Sequence, residues 1–194
     1  IFHRAMEHVA KKLARMELSD GELPDDVRVR IAEESVEESI VDYENTVLYS
    51  TKRREYLITR MKRLVERTVW ALLKQQKRGD FVQTGAEVRF EGGKIDRIDT
   101  CETDDQVYVK VTDYKTGSKS FDIASFYYGI QLQLTVYMNA ALEIEKRRHP
   151  GKEVIPAGIF YYKMQDPIVE KTKAENLEEA ILKELRPDGL INAD

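Results

Sequence analysis

Cysteine is almost absent from this chain: Cys101 stands alone among 194 residues. A single thiol cannot form an internal disulfide framework, so a disulfide-stapled secreted scaffold is excluded and a reducing compartment fits. The sequence contains no apolar run long enough to cross a bilayer, and no stretch of it reads as a secretory leader. These absences together give the expectation of a cytoplasmic protein with no membrane partner. The phosphate-cradling pattern Gly-x-x-x-x-Gly-Lys-Ser/Thr is missing, so this segment carries no nucleotide-hydrolysing motor. Low-complexity tracts, internal repeats and flexible linkers are missing too. Net positive charge is lacking as well: the formal balance is −4, which does not by itself advertise a nucleic-acid binder.

What remains is an ordinary globular composition, 42% hydrophobic. A chain of this length can bury about 70% of its unfolded surface as one domain. We expect a single domain over residues 1–194, with a helical part to about residue 80 and a sheet-containing core from about residue 81. The first residue, Ile1, lies inside a helical pattern and is not a methionine, which gives the expectation of a fragment of a longer subunit.

Hydrophobic periodicity places the elements. Residues 1–16 read as a helix with Phe2, Met6, Val9, Ala10 and Leu13 on its apolar side. Gly21 to Pro24 breaks it, and Pro24 ahead of two aspartates suits the start of a second, acidic helix over 26–45. A long third helix runs from Thr51 to Arg78, striped by Leu57, Ile58, Met61, Leu64, Val65, Val69, Leu72 and Leu73. Glu87 to Phe90, two alternating runs after it and Val154 to Met164 read as strands, whereas 124–148 and 173–186 read as helices.

The two alternating runs carry the chemistry. Val107 to Lys115 reads Val-Tyr-Val-Lys-Val-Thr-Asp-Tyr-Lys, a period-two pattern whose apolar face Val107, Val109, Val111 continues into Asp113 and Lys115. Residues two apart on a strand share a side, with Cα atoms roughly 6.6 Å apart. The carboxylate and the ammonium therefore project together from the end of a buried surface. In the preceding run, Lys94 to Thr100, Asp96 shares a face with Ile98, and Ile95, Arg97 and Asp99 take the other. The polar stretch 101–106 is short enough to close an antiparallel hairpin that would bring Asp96 beside Asp113 in the right register.

Two carboxylates and a lysine in this arrangement suit a divalent metal and phosphodiester hydrolysis. Mg²⁺ prefers hard oxygen ligands, keeps several waters and is often held by one or two carboxylates plus substrate phosphate. The lysine would position the attacking water and offset charge on the phosphate. Taken alone, Asp-x-Lys is also an ordinary salt bridge.

The order Gly93-Lys94-Ile95-Asp96, then Asp113-Tyr114-Lys115, then Gln133-Leu134-Thr135-Val136-Tyr137 resembles the RecB-type branch of the PD-(D/E)xK nuclease superfamily. That branch carries Gly-x-x-Asp, Asp-x-Lys and Gln-x-x-x-Tyr in this order, with a histidine on an upstream helix, here matched by His3. More narrowly, Ile95-Asp96-Arg97-Ile98-Asp99, Asp113-Tyr114-Lys115-Thr116-Gly117, Tyr128 to Leu134, Pro156 to Tyr162 and Asp188-Gly189-Leu190 are similar to the nuclease domain of the B subunit of bacterial AddAB-type helicase–nucleases.

The resemblance implies a restriction-endonuclease-like α/β core: a central mixed sheet flanked by helices, with an N-terminal helical extension. It implies metal ligation by His3, Asp96, Asp113 and the main-chain carbonyl of Tyr114, and a catalytic Lys115. Gln133 and Tyr137, four apart on one helical face, would support the site and contact DNA. The implied cofactor is Mg²⁺, with Mn²⁺ as a substitute. The implied activity is exonuclease-type DNA cleavage at broken duplex or single-strand ends during recombinational repair. The implied partners are DNA and an AddA-like helicase–nuclease subunit reached through the parent chain, in the bacterial cytoplasm. The B subunits of this family usually bind an iron–sulfur cluster through four cysteines. Cys101 alone cannot hold one, so any cluster would belong to the parent protein outside this segment.

Charge is unevenly distributed. The third helix bears ten lysines and arginines among residues 52–78, including Arg60, Arg63 and Arg67, against only Glu55 and Glu66. Part of that face, with those three arginines, is a candidate for phosphate contacts, and a solvated or docked face is the competing reading. Glu87 reads as a supporting residue, Arg97 and Asp99 as a structural pair, and His8 and His149 as structural or exposed. Tyr127 and Tyr128 read as packing residues, with DNA stacking as the minor reading. Two other functions stay open: a catalytically silent nuclease-like module that binds DNA or docks a partner, and a stand-alone RecB-like exonuclease.

Overall fold

The computed structural model describes residues 1–16, 23–42, 52–117, 121–129, 132–169 and 176–192. Gly21, residues 43–45, Thr51, Ile130, Gln131 and residues 173–175, each part of an expectation above, lie outside the described residues. The chain forms two compact units, one of residues 1–78 with 164–185 and the other of residues 79–163 with 186–194. In chain order the helices are α1 (Phe2–Ala14), α2 (Asp25–Asp42), α3 (Lys52–Gln76), α4 (Ile123–Tyr127), α5 (Gln133–Arg148) and α6 (Leu177–Glu184).

The first unit is helical, built from α1, α2, α3 and α6. Ala5, Met6 and Val9 of α1, Ile31, Ala32, Val36 and Ile40 of α2, and Ile58, Val65, Val69 and Leu72 of α3 form its apolar interior. Beside it, a basic stripe on α1 meets an acidic stripe on α2. Arg4 bonds Asp42 at 2.8 Å, His8 lies 2.9 Å from Asp42 and 3.4 Å from Glu38, and Lys12 reaches Glu34 and Glu38 at 2.8 and 2.9 Å. Exposed pairs of this kind contribute little stability singly, so they set the pairing of the two helices more than its strength.

The second unit is a five-stranded sheet in chain order: β1 (Val82–Phe90), β2 (Gly93–Glu102), β3 (Gln106–Lys115), β4 (Glu153–Lys163) and β5 (Asp188–Ile191). The first three strands form an antiparallel meander, β4 is parallel to β3, and β5 is antiparallel to β4. The sheet is mixed because the chain leaves β3 through α4 and α5 before it returns as β4. Leu134, Met138 and Ala141 of α5 join Ile98, Val107, Val109, Val111 and Ile159 in one core, as expected for an apolar helical stripe laid on an alternating strand.

Several boundaries differ from expectation. The hairpin strands run further than their alternation shows, so the loop shrinks to Thr103–Asp105 and Cys101 sits on β2 opposite Tyr108. The helix expected over 124–148 is two helices. Gly129, at φ +75°, takes a left-handed conformation that a helix interior cannot hold, and the chain turns there. β1 begins earlier than Glu87 because a register shift between Gln83 and Gly85 hides its alternation. β5 is too short to carry a readable period. Gly189 within it is obligatory: a Cβ there would lie 2.0 Å from the carbonyl oxygen of Ile159 on β4.

Away from Val107, Val109 and Val111, the sheet buries an ion pair. Arg97 donates to Asp99 through Nη2 at 2.6 Å and through Nε at 2.9 Å, and Lys110 lies 3.5 Å from the same carboxylate. Burial opposes ionisation of Asp99, but the Arg97 guanidinium and the Lys110 ammonium outweigh it and hold the carboxyl below its ordinary range. Burial pushes the Lys110 ammonium and the Tyr114 phenol towards their neutral forms.

Because the folded carboxyl is depressed, Asp99 stabilises the fold above the unfolded value of about 3.9 and loses that contribution as pH falls through the folded value. Asp99→Asn leaves Arg97 buried without its counter-charge, so stability at neutral pH should fall by about 3–5 kcal/mol. Replacing both partners with apolar residues should cost less, and urea titrations of the two variants check the order. Gly189→Ala should push β5 off β4 and lower the urea midpoint by the equivalent of about 1–3 kcal/mol.

Candidate active site

The β2–β3 register sets the site. Arg97 pairs with Thr112 and Ile98 with Val111, so the next step places Asp96 opposite Asp113. The Asp96 carboxylate is oriented from the same hairpin, since the Tyr114 backbone N–H donates to its Oδ2 at 2.8 Å. On β1, Glu87 falls between the pairs Ala86–Arg97 and Val88–Ile95, which sets it opposite Asp96. Acidic residues therefore stand at one level on three neighbouring strands.

Asp113 is 3% exposed, and Lys115 two residues on places its Nζ 2.5 Å from Asp113 Oδ2. The buried Asp113 carboxylate thus has the ammonium as its counter-charge. The Lys115 ammonium also donates to Gln133 Oε1 at 3.0 Å and lies 5.0 Å from the centre of the Tyr161 ring. Gln133 Nε2 in turn donates to Tyr137 Oη at 2.8 Å, and Phe90 packs edge-on against the Tyr137 ring at 5.8 Å. The i, i+4 spacing on α5 makes this relay possible, because both side chains leave the same helical face. Burial pushes the Tyr161 phenol up, against the opposing pull of Lys115.

Glu87, read from the sequence as a supporting residue, sits at the level of the two aspartates. It is buried, its backbone is left-handed at φ +51°, and it forms an ion pair with Lys94. Its Oε1 is a buried oxygen without a hydrogen bond. The sequence signal for it is weak, one glutamate in a strand whose alternation is interrupted.

Asp96, Asp113, Lys115, Gln133 and Tyr137 are thus brought together within the second unit. His3 is an exposed residue of α1 in the first unit. Of the three candidate arginines, all on α3, Arg60 is exposed, and Arg63 and Arg67 face Asp166 at 2.7 and 3.4 Å. Lys62, Lys74 and Arg78 of the same unit pair with Glu37, Glu178 and Glu179. Much of that basic stripe is therefore matched by carboxylates within its own unit.

The donor chemistry suits a hard cation. Two carboxylates opposite each other, one of them buried beside an ammonium, are hard oxygen donors of the kind divalent cations bind, with water or substrate oxygens filling the remaining positions. Among the described residues, no three His, Cys, Asp or Glu side chains group closely enough to hold an ion by themselves.

Known proteins resemble this chain in sequence. Three relatives, each named as the B subunit of an ATP-dependent helicase/deoxyribonuclease, align over the whole of this chain. The protein of Lachnoclostridium phytofermentans is 44% identical over 201 residues, and those of Alkaliphilus metalliredigens and Alkaliphilus oremlandii are 36% and 35% identical over 217 and 216 residues. The chain spans only 17% of the first relative and 19% of the other two. Among the described residues, no helix is long and apolar enough to cross a membrane. Residues 1–189 match the family described as the PD-(D/E)XK nuclease superfamily, and the chain belongs to it.

Proposed function

We propose that this chain is the Mg²⁺-dependent deoxyribonuclease domain of an AddB-like helicase–nuclease subunit. It would hydrolyse phosphodiesters at the ends of broken duplexes in the bacterial cytoplasm, with DNA delivered by a partner helicase–nuclease subunit. The observation that carries this reading is the register placing Asp96 opposite Asp113 with the Lys115 ammonium held between Asp113 and Gln133. The names and alignments of the relatives support the substrate and the partner.

In this reading Asp96 and Asp113 would hold the cation, joined by the Tyr114 main-chain carbonyl. A divalent cation there would supply Lewis-acid polarisation of the phosphate. The protein's own groups do the rest. The Tyr114 N–H fixes the rotamer of Asp96. Lys115 balances the charge of Asp113 and, when a phosphate arrives, donates to its developing negative oxygen and positions the attacking water. Gln133 restricts where the ammonium can go, and Tyr137 restricts Gln133. Pre-positioning of this kind lowers the barrier because little reorganisation remains when the substrate reacts.

Lys115→Ala should lower cleavage of end-labelled linear DNA by on the order of 100- to 1,000-fold while leaving DNA affinity within a few-fold. Unchanged cleavage would sink the mechanism. Calorimetric titration with Mn²⁺ should show binding to the parent chain that Asp113→Ala removes. A silent DNA-binding module would instead show no metal binding sensitive to that substitution.

A further inference from the structure

Tyr127 and Tyr128 do not pack into the core. They are 82% and 76% exposed, at the end of α4 and just before the left-handed Gly129. Their neighbour Phe126 does the packing: its ring lies 5.7 Å from that of Phe121, and Phe121 lies 6.4 Å from Tyr161, the ring beneath the Lys115 ammonium. The Phe121 N–H is also held by Asp188 Oδ2 of β5 at 3.1 Å. The inner side of α4 is thus anchored beside the candidate catalytic lysine, and the same anchor presents two tyrosines outwards.

The outer surface continues towards the site. A Cβ at Gly129 would lie 3.9 Å from a methyl group of Leu132, and Leu132 and Val136 are exposed one turn apart at the start of α5. Gln133 and Tyr137, the relay to Lys115, are the next residue along the helix in each case. The exposed apolar strip therefore runs alongside the polar relay.

The tyrosine rings lie 5.4 Å apart and stand at 84° to each other. A perpendicular pair forms a corner. A flat heteroaromatic ring stacked on the face of one tyrosine turns its positive edge to the face of the other, an arrangement aromatic quadrupoles favour. Only an unpaired nucleobase offers both faces free, because bases in a duplex are already stacked on their neighbours.

We propose that Tyr127 and Tyr128, extended by Leu132 and Val136, form a stacking platform for unpaired bases of single-stranded DNA next to the scissile phosphate. The platform grips a strand without reading its sequence, since every base has a face to stack. It holds frayed or unwound ends in preference to intact duplex. The proposal rests on the nuclease reading for the identity of its ligand.

The test is equilibrium binding of fluorescein-labelled oligothymidine to the full chain in EDTA, read by anisotropy, with cleavage in Mg²⁺ measured in parallel. The combined Tyr127→Ala and Tyr128→Ala variant should bind roughly 5- to 150-fold more weakly. The Tyr→Phe pair should bind like the parent, because the rings remain. An oligomer made largely of abasic nucleotides should bind the parent weakly and lose little more to the alanine variant. Unchanged thermal melts would show that the variants fold.

Equal oligothymidine affinity for the parent and the alanine variant overturns the platform and leaves a protein partner as occupant of the surface. Loss in the Tyr→Phe pair equal to that in the alanine pair overturns stacking as the cause. A parent chain that binds through the tyrosines but does not cut keeps the platform and refutes the nuclease reading. A chain that neither binds nor cuts refutes both.

Discussion

The pairing of β2 with β3 is the constraint on which the site depends. Strand faces alternate residue by residue, so a slip of one position would carry Asp113 and Lys115 to the opposite side from Asp96. Burial on both sides holds the register. Ile98 stands opposite Val111 in the core beneath α5, and Asp99 stands opposite Lys110 on the other side, within reach of it. A slip would bury the charges of Arg97 and Asp99 among apolar side chains, which the interior penalises far more than a misplaced methyl. The ion pair thus stabilises the working register by making the alternatives costly.

From that register the chemistry is assembled in layers. The hairpin supplies the two carboxylates and, through the Tyr114 N–H, orients one of them. The crossover supplies α5, whose apolar stripe is fixed by the core and whose adjacent stripe delivers Gln133 and Tyr137 to Lys115. The short α4 packs Phe126 inwards, with Phe121 ahead of it reaching Tyr161, and turns two tyrosines outwards. The two sides of the same crossover therefore differ, with a polar relay facing the carboxylates and an aromatic surface beside it.

Charge behaves differently in the two units. The basic stripe of α3 looks in sequence like a phosphate-binding face, yet Lys62, Arg63, Arg67, Lys74 and Arg78 meet Glu37, Asp166, Glu178 and Glu179 within the same unit. Linear charge counting cannot see such compensation, because the partners are far apart in sequence. In the second unit the buried Arg97 and Asp99 are matched to each other, as low-dielectric surroundings require.

Period-two alternation over Val107–Lys115 was enough to place Asp113 and Lys115 on one face, and the Gln133–Tyr137 spacing was enough to join those two on a helix. Both are local properties, decided within a few residues by backbone geometry. The antiparallel hairpin and the apolar stripes of the long helices were legible for the same reason. Tertiary structure alone decided the partner of each face: Asp96 opposite Asp113, Glu87 at the same level, and β5 against β4 through a glycine contact with no sequence period. It also decided that Phe126 turns inwards and Tyr127 and Tyr128 outwards. Three consecutive aromatics carry no pattern, and only the packing around Gly129 and Tyr161 separates them.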